Sequence, residues 1–331
     1  MKKLIGIFVI LSAGFCATAQ SGTVNGTVLL DSPEEANFYR FRIPLWCATL
    51  SGHNTSVYDL ALGIDIKPND KFIINADYRI GLADRVFPEN SLNRNGPKAY
   101  ATGATVFPQN KALPARNIDV AVTYFFITKS KSKNLRFKLK QVGNVEYVTY
   151  VPGTEIEQWG IRGGFLAGST WYGMNDVTVE YGESLDFLNG DNMFEQSTNL
   201  RYSQLRVGVG FSQTSNLWVN FDDYGVRGNV GTVLYYADLL VGMRSDLDDV
   251  YYAERGVDEA NTYFYTPGAI DESVKSARLG FEIGLRQLPC RGAFSGYAAL
   301  GRINGIQGGS NGYFRMGAQI SLGTRTKEPK V

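Results

Sequence analysis

The chain has one histidine, His53, in Ser51-Gly52-His53-Asn54-Thr55, and a serine two residues from an imidazole is the first arrangement to weigh for nucleophilic chemistry. Such catalysis needs the hydroxyl within hydrogen-bond reach of the ring and a third group to orient it. A two-residue spacing at a glycine-containing loop tip does not supply that geometry, so His53 reads as an exposed loop residue. Asp246, Asp248 and Asp249 alternate within Arg244-Ser-Asp-Leu-Asp-Asp, but the glycine and terminal glutamate of a calcium loop are missing. They read as a solvated acidic loop. Gly228-Asn229-Val230-Gly231 and Gly308-Gly309-Ser310-Asn311-Gly312 are turn material, with no following helix to cradle a phosphate. No catalytic residue, metal site or cofactor is assigned, and no enzyme activity is expected.

The remaining chemistry is charge, set in a two-residue rhythm. Successive side chains of a strand point to opposite faces. In 275–287, Ala277, Leu279, Phe281, Ile283 and Leu285 share one face, and Arg278, Gly280, Glu282, Gly284 and Arg286 share the other. The same period runs through 57–67, 72–81, 117–127, 158–167, 205–211, 232–242 and 314–322. The polar sides collect Asp59, Asp65, Asp77, Asp119, Asp238 and Glu282 against Lys67, Arg79, Arg162, Arg206, Arg244, Arg278, Arg286 and Arg315. These are the candidate lumen-lining residues of a closed sheet. Near-balanced signs favour ion pairs that fill the interior over a strongly selective pore, because buried charges persist only when paired.

Most of these eight segments are about ten residues long, enough to cross a bilayer at a tilt. Lipid offers no partner to a sheet edge, so a spanning sheet must close. Weaker candidates lie at 38–50, 134–151, 217–222 and 294–302. The expected fold is all-β: a closed antiparallel transmembrane barrel of about 12 strands, with 10 to 14 defensible. Lys129-Ser130-Lys131-Ser132-Lys133-Asn134 reads as turn-like, 183–203 as an irregular or partly helical insertion, and 82–116 and 245–274 as long polar outer loops.

At the N-terminus, Lys2 and Lys3, the apolar run Leu4 to Phe15 and Ala17-Thr18-Ala19 form a secretory leader with an A-x-A site. The expected organisation is a signal peptide over 1–19, a periplasmic segment over 20–36, the barrel over 37–323 and a disordered tail over 324–331. The formal charge of +1 excludes the basic stripe of a nucleic-acid binder. Cys47 and Cys290 fall at opposite ends of the barrel in this topology, too far apart for a disulfide.

On the leader, the alternating strands and the unequal connections, the chain resembles an outer-membrane β-barrel of the Bacteroidota. Its ending departs from that pattern: Ser321-Leu322-Gly323 is followed by a charged tail instead of a terminal aromatic residue. The resemblance implies residence in the outer membrane of a Gram-negative cell, against lipid and lipopolysaccharide. It further implies a structural or accessory role in an outer-membrane complex such as secretion or gliding machinery. A transport barrel, porin-like or carrying a hydrophobic ligand, is the alternative. A lipid-modifying barrel enzyme is the third reading. On this facing, Phe281→Arg is expected to destabilise the barrel, and Glu282→Gln to alter only lumen electrostatics.

Overall fold

The computed structural model describes residues 18–21, 24–51, 56–83, 116–173, 193–194, 197–247, 250–255, 263–268, 279–289, 294–302 and 312–323. His53, Asp248, Asp249, Arg278, Cys290 and the 1–17 and 324–331 segments lie outside the described residues. In chain order the strands are β1 (Thr18–Ser21), β2 (Gly26–Asp31), β3 (Phe38–Ser51), β4 (Ser56–Asn69), β5 (Phe72–Ala83), β6 (Arg116–Val142), β7 (Val145–Gly173) and β8 (Met193–Phe194). They continue as β9 (Ser197–Phe221), β10 (Gly225–Leu247), β11 (Val250–Arg255), β12 (Tyr263–Gly268), β13 (Leu279–Pro289), β14 (Phe294–Arg302) and β15 (Gly312–Gly323). One 3-10 turn, Pro33–Glu35, precedes β3.

The sheet closes. β3 through β7 are consecutive antiparallel neighbours, β7 pairs with β9, and β10, β13, β14 and β15 follow until β15 returns to β3. Of the twelve strands in this sheet, β1 and β2 only hang from β7 and β9, so ten form the ring. Ten lies at the lower end of the expected range, below the central figure of about 12. The reason is that 134–151 and 217–222 are not separate crossings. They are continuations of β6, β7 and β9, which run 27, 29 and 25 residues, well past the other walls.

The links at 70–71, 143–144, 222–224 and 290–293 leave from one end of the barrel, and the four-residue link at 52–55 leaves from the other together with all the long ones. We call these the turn end and the loop end. Within 183–203, residues 197–203 belong to β9, and within 245–274 the strands β11 and β12 pair antiparallel, with β8 alongside.

At the turn end the two long hairpins project beyond the rim and pack against each other. Below Glu155 and Ser215 the β7–β9 ladder stops, and β2 takes over the edge of β9 from Gly26↔Phe221 to Asp31↔Leu217. Leu135, Phe137 and Leu139 of β6 meet Leu217, Val219 and Phe221 of β9 in a small core, with Val24, Val151 and Tyr224 at its margin. Gly153 permits this approach, since a Cβ there would stand 2.5 Å from Leu217 Cδ2. The carboxylate of Asp31 closes the fork by accepting bonds from the Thr154 amide (3.0 and 3.1 Å) and hydroxyl (2.8 Å).

The segment Lys129–Asn134 is therefore mid-strand, not a turn, and the chain reverses at Gly143, whose φ of +57° suits glycine. Its polarity has another cause. Beyond the Phe125 amide, which donates to the Lys71 carbonyl (2.8 Å), β6 has no ladder partner on the β5 side among the described residues, and lysines blunt such an edge against unwanted pairing. Lys131 pairs with Glu157 (2.5 Å) and Lys133 with Glu155 (2.9 Å), while Lys138 (2.8 Å) and Arg136 (2.6 Å) share Glu146.

Hydrogen bonds from Lys138 and then Arg136 hold the Glu146 carboxyl below the usual glutamate range. A depressed folded-state pKa contributes stability that is full above the ordinary range and is lost as pH falls through the depressed value. Amide protection factors in 136–148, which correct exchange for its intrinsic pH dependence, are therefore expected to fall below about pH 4 while those of the barrel strands hold. Added salt should reduce the effect, since these pairs are exposed. Protection factors in this hairpin that stay flat from pH 6 to pH 3 would show that the pairs hold nothing.

Candidate functional site

The strand pattern builds the site by putting one face of every barrel strand inside. Phe281 is 45% exposed and its neighbour Glu282 only 1%, and the same division runs around the ring. Of the expected lumen residues, Asp65, Asp77, Arg79, Asp119, Arg162, Arg206, Asp238, Glu282, Arg286 and Arg315 are all buried. Asp59 stands in β4 opposite Gly81. Arg244 is a correction: it is exposed and pairs with Asp246. A bulge between Gly242 and Arg244 inserts one residue, and a one-residue shift turns every later side chain to the opposite face.

The buried charges form two groups. In the first, Arg42 of β3 reaches Asp65 (2.7 Å) and Asp77 (2.8 Å) and donates to Gln319 Oε1 (2.7 Å). Arg286 of β13 crosses from the far wall to Asp77 (2.6 Å) and Asp65 (3.4 Å), and Asn75 donates to Asp65 (2.7 Å). The second group centres on Arg206 of β9, which is 1% exposed and touches carboxylates from three other strands. These are Asp238 (2.7 Å), Glu282 (2.8 Å) and Asp119 (3.0 Å). Arg162 joins at Asp238 (3.0 Å), and both Arg315 and the Tyr313 hydroxyl donate to Glu282. Arg162 also donates to Asn75 (3.4 Å), which links the groups.

A ten-stranded ring is wider than the eight-stranded barrels whose interior ordinary side chains fill. Long guanidinium stems and tyrosine rings make up the difference, and glycines make room for them. Gly63 is the clearest case: a Cβ would lie 2.6 Å from both the Arg42 guanidinium and Asp77 Oδ1, so any larger residue would part that pair. The Arg162 guanidinium stacks 4.4 Å from the Tyr236 ring centre, and that of Arg79 lies 4.9 Å from the Tyr297 ring.

Below the charged layer, at the turn end, Ala36, Phe38, Ile73, Phe125, Leu234 and Leu288 form an apolar floor, with Val230 against it. The 3-10 turn positions the first of these, and it is held by Ser32, which exchanges bonds with Asn216 (3.1 and 2.9 Å). Residues 24–36 thus contribute to the base of the barrel. Cys47, in the upper part of β3, is buried against Ala61 and Tyr297.

Sequence reasoning missed Arg40, Arg42, Gln204, Tyr236, Tyr297 and Tyr313, all buried inside. A signal was available for most of them. Arg40 and Arg42 alternate with Tyr39, Phe41 and Ile43, and Tyr236 and Tyr313 stand two residues from Asp238 and Arg315. No residues from β3 entered the charge set because Pro44 and the bulge near Ala318↔Trp46 break its alternation.

Among the described residues no group of three or more potential metal ligands is found. What the arrangement does chemically is hold its own charges. Each described carboxylate of the layer meets at least one guanidinium, and the staples run from wall to wall. No protein-family model matches the chain, and no curated protein matches it either.

Proposed function

We propose that this chain is an integral outer-membrane barrel with a filled lumen that serves as a structural or accessory subunit of an envelope complex and does not catalyse a reaction. One observation carries the reading: an exposed apolar outer wall encloses an interior in which the charged side chains are buried against one another. On the outer wall of β6, Ile118, Val120, Val122, Tyr124, Phe126 and Ile127 are all exposed. At a barrel tilt this run spans roughly 25 Å, the height of a lipid-facing band. Its turn-end border is aromatic: Trp159 and Phe211 stack at 4.7 Å, Phe211 and Tyr235 at 6.0 Å, and Phe72 and Tyr124 at 5.1 Å. Rings at this level suit a membrane interface. A water-soluble barrel would leave such a band as a large aggregation-prone surface.

The apolar floor and the cross-lumen ion pairs argue against a continuous water path. The functional contacts then belong to the two ends: the loop-end connections toward lipopolysaccharide or a protein partner, and the two-hairpin sandwich toward the periplasm. Purified protein reconstituted in a planar bilayer is expected to show almost no steady conductance. Large, stable single-channel openings would overturn this reading in favour of the porin-like or hydrophobic-ligand alternative.

A further inference from the structure

Among the residues whose side chains are described, the charged layer does not balance. Its cations are Arg42, Arg79, Arg162, Arg206, Arg286 and Arg315, and its carboxylates are Asp65, Asp77, Asp119, Asp238 and Glu282, six against five. The imbalance has an address. Among the described residues, the only carboxylate within ion-pair distance of Arg79 is Asp77, at 3.5 Å, and Asp77 is already held more closely by Arg42 (2.8 Å) and Arg286 (2.6 Å). The Nε and Nη1 atoms of Arg79 are buried with no hydrogen-bond partner among the described residues, in a side chain only 4% exposed. On one side lies the Tyr297 ring, and Arg315 and Asp119 are its further charged neighbours. Asp119 is committed to Arg206 at 3.0 Å and stands 4.0 Å from Arg315.

A guanidinium cannot shed its proton to escape such a site. Water could satisfy the two idle donors but would leave the charge uncompensated in a low-dielectric interior. A small anion supplies both the acceptors and the charge. We propose that the barrel interior binds a small inorganic anion of the halide class at Arg79, beside Arg315. The ion completes the buried network as a structural component. This inference does not depend on whether the barrel conducts or on which complex it joins.

The test refolds the full-length mature protein in detergent with sodium chloride, sodium bromide or sodium gluconate at equal ionic strength, and follows thermal unfolding. Wild type should unfold about 5 °C higher in either halide than in gluconate, with a response that saturates as a bound ligand requires. Arg79→Gln should lose that response and, in gluconate, unfold no lower than wild type, because the uncompensated charge is gone. Arg79→Lys should keep the response. Crystals grown in bromide should show an anomalous peak within hydrogen-bond reach of the Arg79 guanidinium. If Arg79→Gln does not refold, that peak decides the matter in wild type. Equal halide responses in wild type and Arg79→Gln, no response in wild type, or no bromide at Arg79 would each overturn the proposal.

Discussion

Replacing Glu282 with glutamine is expected to destabilise the barrel by about 3–5 kcal/mol, the usual cost of removing one partner from a buried ion pair. This reverses the expectation from sequence that the change would be felt only as lumen electrostatics. Glu282 is 1% exposed and accepts from Arg206 on one oxygen and from Arg315 and Tyr313 on the other. Loss of its charge leaves Arg315 with no carboxylate nearer than Asp119 at 4.0 Å and takes one of three carboxylates from Arg206. Equilibrium unfolding in urea, read by the gel shift between compact and extended forms, measures the cost. Joint replacement of Glu282 by glutamine and Arg315 by methionine should recover a large part of it, since neutral residues of similar volume remove the stranded charge. An unchanged urea midpoint for the single variant would mean that the network does not hold the barrel together.

Arginine introduced on the outer wall should destabilise according to depth. Ile283 of β13 lies opposite Ala237 of β10 and Leu300 of β14, with apolar outer positions to either side, and is 51% exposed. Ile283→Arg is expected to cost about 2–4 kcal/mol, the effect of a charge near the midplane of a bilayer. Phe281 pairs with Arg302, the last residue of β14 at the loop end, so it sits nearer the rim. Phe281→Arg should therefore cost only about 0–1 kcal/mol. The experiment is refolding into lipid vesicles with both variants side by side. If Ile283→Arg folds as well as wild type in lipid, the outer wall does not face a membrane.

Facing was legible in the sequence because it is a local property. A strand's side chains alternate whatever its neighbours do, so Leu279 through Arg286 disclosed an outside and an inside before any pairing was known. The same rule failed where a local irregularity intervened. One bulge after Gly242 turned Arg244 outward, and Pro44 hid the lumen arginines of β3. Polarity alone also misled at Lys129–Asn134, where a lysine-rich edge strand and a turn have similar composition.

Strand number, by contrast, is a property of closure. Ten crossings and twelve share the same alternating segments, and only the ladders show that 134–151 and 217–222 prolong strands already counted. Partner choice among the charges belongs to the same level. Arg286 and Asp77 are 209 residues apart in the chain, and nothing local to either one names the other. Charges inside and apolar side chains outside could be read from the residues alone, because both follow from a two-residue period. That the charges cross the lumen, that an apolar floor lies beneath them, and that Arg79 shares its one described carboxylate with two closer arginines became visible only in the assembled ring. Those outcomes depend on which walls the ring brings face to face.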